Sequence, residues 1–232
     1  MERYRGRIWQ WDVCNEFFTD SNPSGINPND FWVSHLGPGV IPQAFRWAHE
    51  ADPHALLFYN DYNIAGEDGT NAKSDAVYAW LKQMLDQGVP INGVGDQGHL
   101  DTQYGFSGAQ MTQDFQRYAS LGLKVAITEA DVRTFVDSPT TQVPTDHLAV
   151  FAQPYEFSQM LKACLAVPEC ISFTAWGFTD AESWIPAFFT GEGYALLYDV
   201  NLNPKPAYFD VQQDLRLAAY GAPRRVKTTS HF

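Results

Sequence analysis

The sequence predicts an α/β fold built on a parallel sheet or barrel, and three observations lead there. Short apolar runs alternate with stretches of helical periodicity along the 232-residue chain, at intervals of roughly thirty to forty-five residues, the cadence of βα units. The runs are largely apolar throughout, as strands buried on both faces must be. Each stops at polar or aromatic residues: Asn15-Glu16, Asn60-Asp61, Gln97 and His99, Glu129 and Asp131, and Trp176. In a barrel such ends share one face, the face that carries chemistry.

The first run, Ile8-Trp9-Gln10-Trp11-Asp12-Val13-Cys14-Asn15-Glu16, starts close to residue 1. A loop rich in Pro, Gly and Asn covers residues 21–29, and residues 41–51 then show helical spacing through Phe45, Ala48 and Ala51. Residues 55–59 form the second run. Residues 75–87 read as an amphipathic helix through Val77, Trp80, Leu81, Met84 and Leu85, closed by Gly88. A third run at residues 90–95 precedes a helix over 108–121. The fourth run, Val125-Ala126-Ile127, is expected to end at Thr128-Glu129. A long helical pattern over 146–167 contains Pro154, a residue that bends or breaks helices because it lacks the amide donor. The fifth run covers residues 170–176, and the last helix lies near 208–217. One domain over residues 1–220 and a disordered tail over 221–232 are expected.

Composition excludes several classes. A formal charge of −12, with no compensating basic stripe, disfavours nucleic acid. No apolar run reaches membrane-spanning length, and Met1-Glu2-Arg3-Tyr4-Arg5 does not resemble a signal peptide. Gly93-Val94-Gly95-Asp96-Gln97-Gly98 matches a dinucleotide fingerprint in letters, but residues 99–104 show no helix to hold a pyrophosphate. Asp199-Val200-Asn201-Leu202-Asn203 opens like a calcium loop and fails at Pro204, where Gly is needed. Zinc and serine-nucleophile motifs are absent, and no cofactor is implied.

The remaining signal is a pair of carboxylates at strand ends, Glu16 and Glu129. A lone strand-terminal Glu is more often a solvated loop residue; here the pattern recurs from strand to strand. Two carboxylates among amides and Trp suit glycoside hydrolysis, in which one acid protonates the leaving oxygen and the other attacks or guides water. Sugars stack apolar C–H faces on Trp and Tyr and pair their hydroxyls with amides. Trp176, Trp184, Tyr62, Asn15 and Gln97 offer those groups. The plain alternative is that the Trp side chains are core and the amides merely close strands.

Six blocks in order, WDVCNE (11–16), YNDYN (59–63), GVGDQGHL (93–100), ITEADV (127–132), WGFTDAESW (176–184) and LLYDVNLNPKPAY (196–208), resemble glycoside hydrolase family 10, the endo-1,4-β-xylanases. The resemblance implies a (β/α)8 barrel and a retaining mechanism, with Glu16 as general acid/base and Glu129 as nucleophile. It implies that Asn15 binds the sugar 2-hydroxyl and that His99 and Asp131 orient the nucleophile. Gln97, Trp176 and Trp184 match sugar-contacting positions, Tyr62 and Asn63 the leaving-group side, and Asn60 is grouped with them as substrate-binding. Retention would place the two carboxyl groups about 5–5.5 Å apart. A matching cysteine pair in many secreted members implies a Cys164–Cys170 disulfide, with Cys14 a free buried thiol.

Departures are few: Cys14 stands where the family usually has Val, and Ala130 where a larger aliphatic is common. The large one is that only ten residues precede Trp11, where three βα units are expected. About five eighths of a barrel is therefore expected, from a gene fragment or a misplaced start, with a secretion signal lost alongside. The open edges would favour self-association. The expected partner is xylan or a xylo-oligosaccharide, with neither nucleic acid nor membrane. The alternative function is a non-catalytic carbohydrate-binding remnant.

Overall fold

A computed structural model of the chain describes residues 1–67 and 69–221. Five parallel strands carry the fold: β1 (Gln10–Asn15), β2 (Leu56–Asp61), β3 (Gly93–Asp96), β5 (Lys124–Phe135) and β6 (Cys170–Ala175), hydrogen-bonded in that order. Two short strands complete the sheet. β4 (His99–Asp101) runs parallel to the second half of β5, with His99 opposite Asp131, and β7 (Glu192–Gly193) pairs antiparallel with its end.

Helices α1 (Phe31–Leu36), α2 (Val40–Ala51), α3 (Ala72–Asp86), α4 (Gly108–Ser120), α5 (Ala149–Leu165), α6 (Ile185–Phe188) and α7 (Pro206–Gly221) fill the connections. Phe45 of α2, Leu81 of α3, Phe115 of α4 and Phe157 of α5 are fully buried with Leu57, Val125 and Ile127 of the sheet. Their removal from water is the main force holding the layers together. Among the described residues β1 and β6 each have one strand neighbour, so the sheet is open. The β1 side shows it: Trp9, Trp32 and Trp47 are more than half exposed.

Several expectations are corrected. β5 does not stop at Thr128-Glu129; it continues to Phe135, because β4 and β7 pair with its second half. α1, which the sequence pattern does not show, lies between the loop at 21–29 and α2; Asp30 starts it by accepting from the Trp32 and Val33 amides at 2.8 and 2.9 Å. α5 begins at Ala149 and runs through Pro154 unbroken. One missing amide donor is outweighed there by burial of Phe157, Met160 and Leu161 and by Gln153, whose amide donates to the Val132 carbonyl at 3.0 Å and to that of Tyr194. α7 includes Gly221, and the rest of the expected tail, 222–232, lies outside the described residues.

The glycines of β3 are explained by packing. A Cβ on Gly93 would sit 2.2 Å from the Phe58 ring, and one on Gly95 would sit 2.4 Å from Asn60 Oδ1 and 2.7 Å from Thr128 Cγ2. The Gly-x-Gly pattern lets side chains of β2 and β5 meet across β3, which is why it occurs without a nucleotide site.

Candidate active site

The parallel register aligns Asn15 with Asn60, Asn60 with Gly95 and Gly95 with Ala126. The ladder continues past the strand ends: the amides of Glu16, Gln97 and Glu129 donate to the carbonyls of Asn60, Asp61 and Gln97 at 3.0, 2.9 and 2.9 Å. Glu16 takes φ 59°, a left-handed conformation that costs a non-glycine residue energy and turns its side chain out of the strand's alternation.

Side-chain amides join the two carboxylates. Gln97 Nε2 donates to Glu16 Oε1 at 2.7 Å and to Asn15 Oδ1 at 3.2 Å; Asn60 Nδ2 donates to the same Asn15 oxygen and to Glu129 Oε1, both at 2.8 Å. Thr128 Oγ1 donates to Asn60 Oδ1 at 2.6 Å, which fixes which way the Asn60 amide points. Asn60 is buried and its amide is fully engaged within the protein. In this arrangement Asn60 holds both Glu129 and Asn15.

Behind Glu129 stands a second chain of contacts. His99 Nε2 lies 3.4 Å from Glu129 Oε2, and His99 Nδ1 lies 3.0 Å from Asp131 Oδ1. Trp184 Nε1 donates to Asp131 Oδ2 at 2.8 Å, with its ring 5.1 Å from the imidazole. Burial alone would push the His99 pKa down, but the hydrogen bonds and charges of Asp131 and Glu129 overcome it and raise it to about 9. The imidazolium is the form present at neutral pH.

Glu16, Gln97, His99, Tyr62, Asn63 and Trp184 open on one cavity of about 670 Å³. Tyr62 donates to Asp20 Oδ2 at 2.6 Å, and the Lys73 ammonium lies 3.5 Å from the Tyr62 ring centre, bound to Asp20 and Asp61 at 3.0 and 2.8 Å. Trp176 does not line this cavity; it stands half exposed at the end of β6. Cys164 and Cys170 form a disulfide, and Cys14 is free and buried, its thiol pushed up to about 12 by burial. Among the described residues no group of three His, Cys, Asp or Glu side chains could hold a metal, and no helix is long and apolar enough to cross a membrane.

Sequence reasoning missed Arg133, Phe188, Phe189 and Tyr104, which also line the cavity. Arg133 binds Glu192 at 2.6 Å and Asp101 at 3.2 Å and lies over the Phe189 ring. A signal for Arg133 existed: residues 129, 131 and 133 share one face of a strand. Ending the strand at Glu129 hid it. The aromatic wall comes from the four-residue α6, its C-cap Phe189 and the connection after β4, segments too short to show a periodicity.

The family model for glycosyl hydrolase family 10 matches residues 1–214. The chain belongs to this family. It is 41% identical to endo-1,4-β-xylanase B of Thermotoga neapolitana over 92% of this chain and 58% of that protein, and 38% identical to endo-1,4-β-xylanase 1 of Humicola insolens over 93% and 47%. Xylanase 10B from Thermotoga petrophila RKU-1, solved with xylobiose, superposes with a TM-score of 0.84 at 38% identity, covering 93% of this chain and 62% of that one. A family 10 xylanase from Bispora sp. MEY-1, also with xylobiose, gives 0.82 at 30% identity over 92% and 64%. The chain thus spans about half to three fifths of the length of the curated relatives it matches. The expected fold class is shown: five βα units of a (β/α)8 barrel, as an open sheet.

Proposed function

We propose that this family 10 chain carries the retaining machinery of an endo-1,4-β-xylanase. The observation that carries the reading is the amide chain Gln97–Asn15–Asn60, which ties Glu16 and Glu129 to one another at one rim of the sheet. Glu129 has one oxygen held by Asn60 and the other facing the His99 imidazolium, which suits an anion held for attack at the anomeric carbon. Glu16 is exposed, with Oε1 fixed by Gln97, and is the group that protonates the departing oxygen and later activates water. Asn15 Oδ1 accepts from both neighbouring amides, which orients its own N–H groups for the sugar 2-hydroxyl. Trp184 and Tyr62 supply faces for sugar rings, and Asn63 lies on the leaving-group side. Trp176, half exposed at the end of β6, offers a further aromatic face. The xylobiose bound by the two solved relatives supports a xylo-oligosaccharide substrate, and the disulfide fits an oxidising compartment, hence secretion.

The test is hydrolysis of xylan and of an aryl xylobioside, with the product anomer read by NMR. The reading expects a β product, and loss of roughly 10³-fold or more in kcat for Glu129→Gln, the usual scale for removing a nucleophile. Binding of xylan with no turnover in the unsubstituted chain would overturn it and leave a carbohydrate-binding remnant. An α product would overturn retention.

A further inference from the structure

The segment after β2 carries Tyr62 and Asn63 into the cavity wall, and its continuation is held down by an unusual contact. Ile64 and Ala65 are fully buried, Gly66 turns the chain at φ 81°, and Glu67 points back so that its Oε2 accepts from the Ala65 amide at 2.7 Å. The other Glu67 oxygen, Oε1, has no partner. Within hydrogen-bonding reach stands Asp96, the last residue of β3, which is 1% exposed and has neither carboxyl oxygen satisfied. Three carboxyl oxygens from two facing elements thus lie buried together, approached by the Ile64 amide but with no side-chain donor among the described residues. Among the described residues no cation is paired with either group.

The neighbouring charges do not supply the missing donor. On β2, Asp61 is neutralised by Lys73 of α3 and takes the Tyr59 hydroxyl. On α4, Asp114 is bound to Arg117, which also reaches Asp75 of α3, and Tyr118 gives its hydroxyl to the Ile64 and Ser74 carbonyls at 2.8 and 3.3 Å. Two bare anions in this setting would repel and stay poorly solvated, at a cost the Ile64 amide offsets only in part. One proton between them turns the same contact into an O–H···O hydrogen bond.

We propose that Glu67 and Asp96 share one proton and act as positioning residues, clamping residues 64–67 onto β3 and so holding Tyr62 and Asn63 in the cavity wall until that proton is lost. Burial first, and then the charge and hydrogen bond of Glu67, hold Asp96 well above the usual carboxylate range, while the Ile64 amide opposes them. Glu67 lines the cavity, so protons exchange with solvent through it. The residue after Asp96 is Gln97, which holds Glu16; release of the clamp therefore disturbs both the wall and one carboxylate. The clamp itself rests on the structure; its effect on substrate rests on the function proposed above.

The sign follows from the shift. An acid with a raised native pKa is free of penalty at low pH, and the native contact is lost as pH rises through that raised value. Amide hydrogen exchange over residues 64–67, corrected for intrinsic rates, should quicken about tenfold or more between pH 5 and pH 9 in the unsubstituted chain, the effect of one pKa unit of coupling. Asp96→Asn supplies a permanent N–H donor to Glu67, and Glu67→Gln does the same from the other side; either should make exchange independent of pH. Should a variant fail to fold, the infrared carbonyl band of a protonated carboxyl in the unsubstituted chain at neutral pH is a second readout. Exchange that is flat in the unsubstituted chain, the same pH response in both variants, or no protonated-carboxyl band would each overturn the clamp. None of these measurements uses turnover, so an inactive chain leaves the clamp standing and a failed clamp leaves the xylanase reading standing.

Discussion

Replacing Asp131 with Asn tests the electrostatic arrangement behind Glu129. Asp131 is fully buried, lies 3.0 Å from His99 Nδ1 and accepts from Trp184 at 2.8 Å. The substitution keeps the shape and removes one of the two charges that hold the imidazolium. The shift of His99 from 6.5 to about 9 corresponds to about 3 kcal/mol of preference for the charged form. A histidine whose native pKa is raised contributes stability that is fully present below about pH 6.5 and is lost as pH rises through about 9. Asp131→Asn should therefore destabilise by about 1–3 kcal/mol at pH 6, because Glu129 keeps part of the shift, and by clearly less near pH 9.5. The His99 titration, followed by NMR, should move down by at least about one pKa unit, because burial then opposes a single carboxylate. Urea denaturation at the two pH values gives the stability. An unmoved His99 titration, or a loss as large at pH 9.5 as at pH 6, would refute the reasoning.

Other expectations follow from single contacts. Gly95→Ala would place a Cβ 2.4 Å from Asn60 Oδ1; a loss of about 1–3 kcal/mol in urea melts is expected, together with reduced turnover as Asn60 leaves Glu129, and an unchanged melt would contradict the packing argument. Glu156, on α5, is pushed up to about 8 by burial and then by the Asp101 charge. Its penalty grows as pH rises from about 4.5 towards 8, so Glu156→Gln should gain on the parent chain between pH 5 and pH 9, by up to on the order of 5 kcal/mol. Parallel pH–stability curves would exclude that role. The half-exposed Trp9, Trp32 and Trp47 beside the open β1 edge favour self-association, and sedimentation should show dimers or larger species; a monomer at high concentration would count against it.

What the sequence alone determined is the part written in local periodicity and position. Each of the five main strands contains a short, largely apolar run, and β2, β3 and the first half of β5 are buried on both faces, which demands such runs whatever lies next to them. Glu16 and Glu129 stood out because a charged residue ending such a run must lie at a rim, and the six family blocks named their neighbours. The tertiary structure decided whatever depends on residues far apart in the chain. The continuation of β5 to Phe135 depends on β4 and β7, so the alignment of Arg133 with Glu129 and Asp131 could not be read from the apolar run. The bracing of Glu129 and Asn15 by Asn60 depends on Thr128, 68 residues away, and on the absence of a Cβ at Gly95 between them. The facing of Asp96 and Glu67 depends on how one loop folds over the end of β3. Hydrogen bonds and charges act over a few ångströms, and only the packed sheet brings those groups within that range.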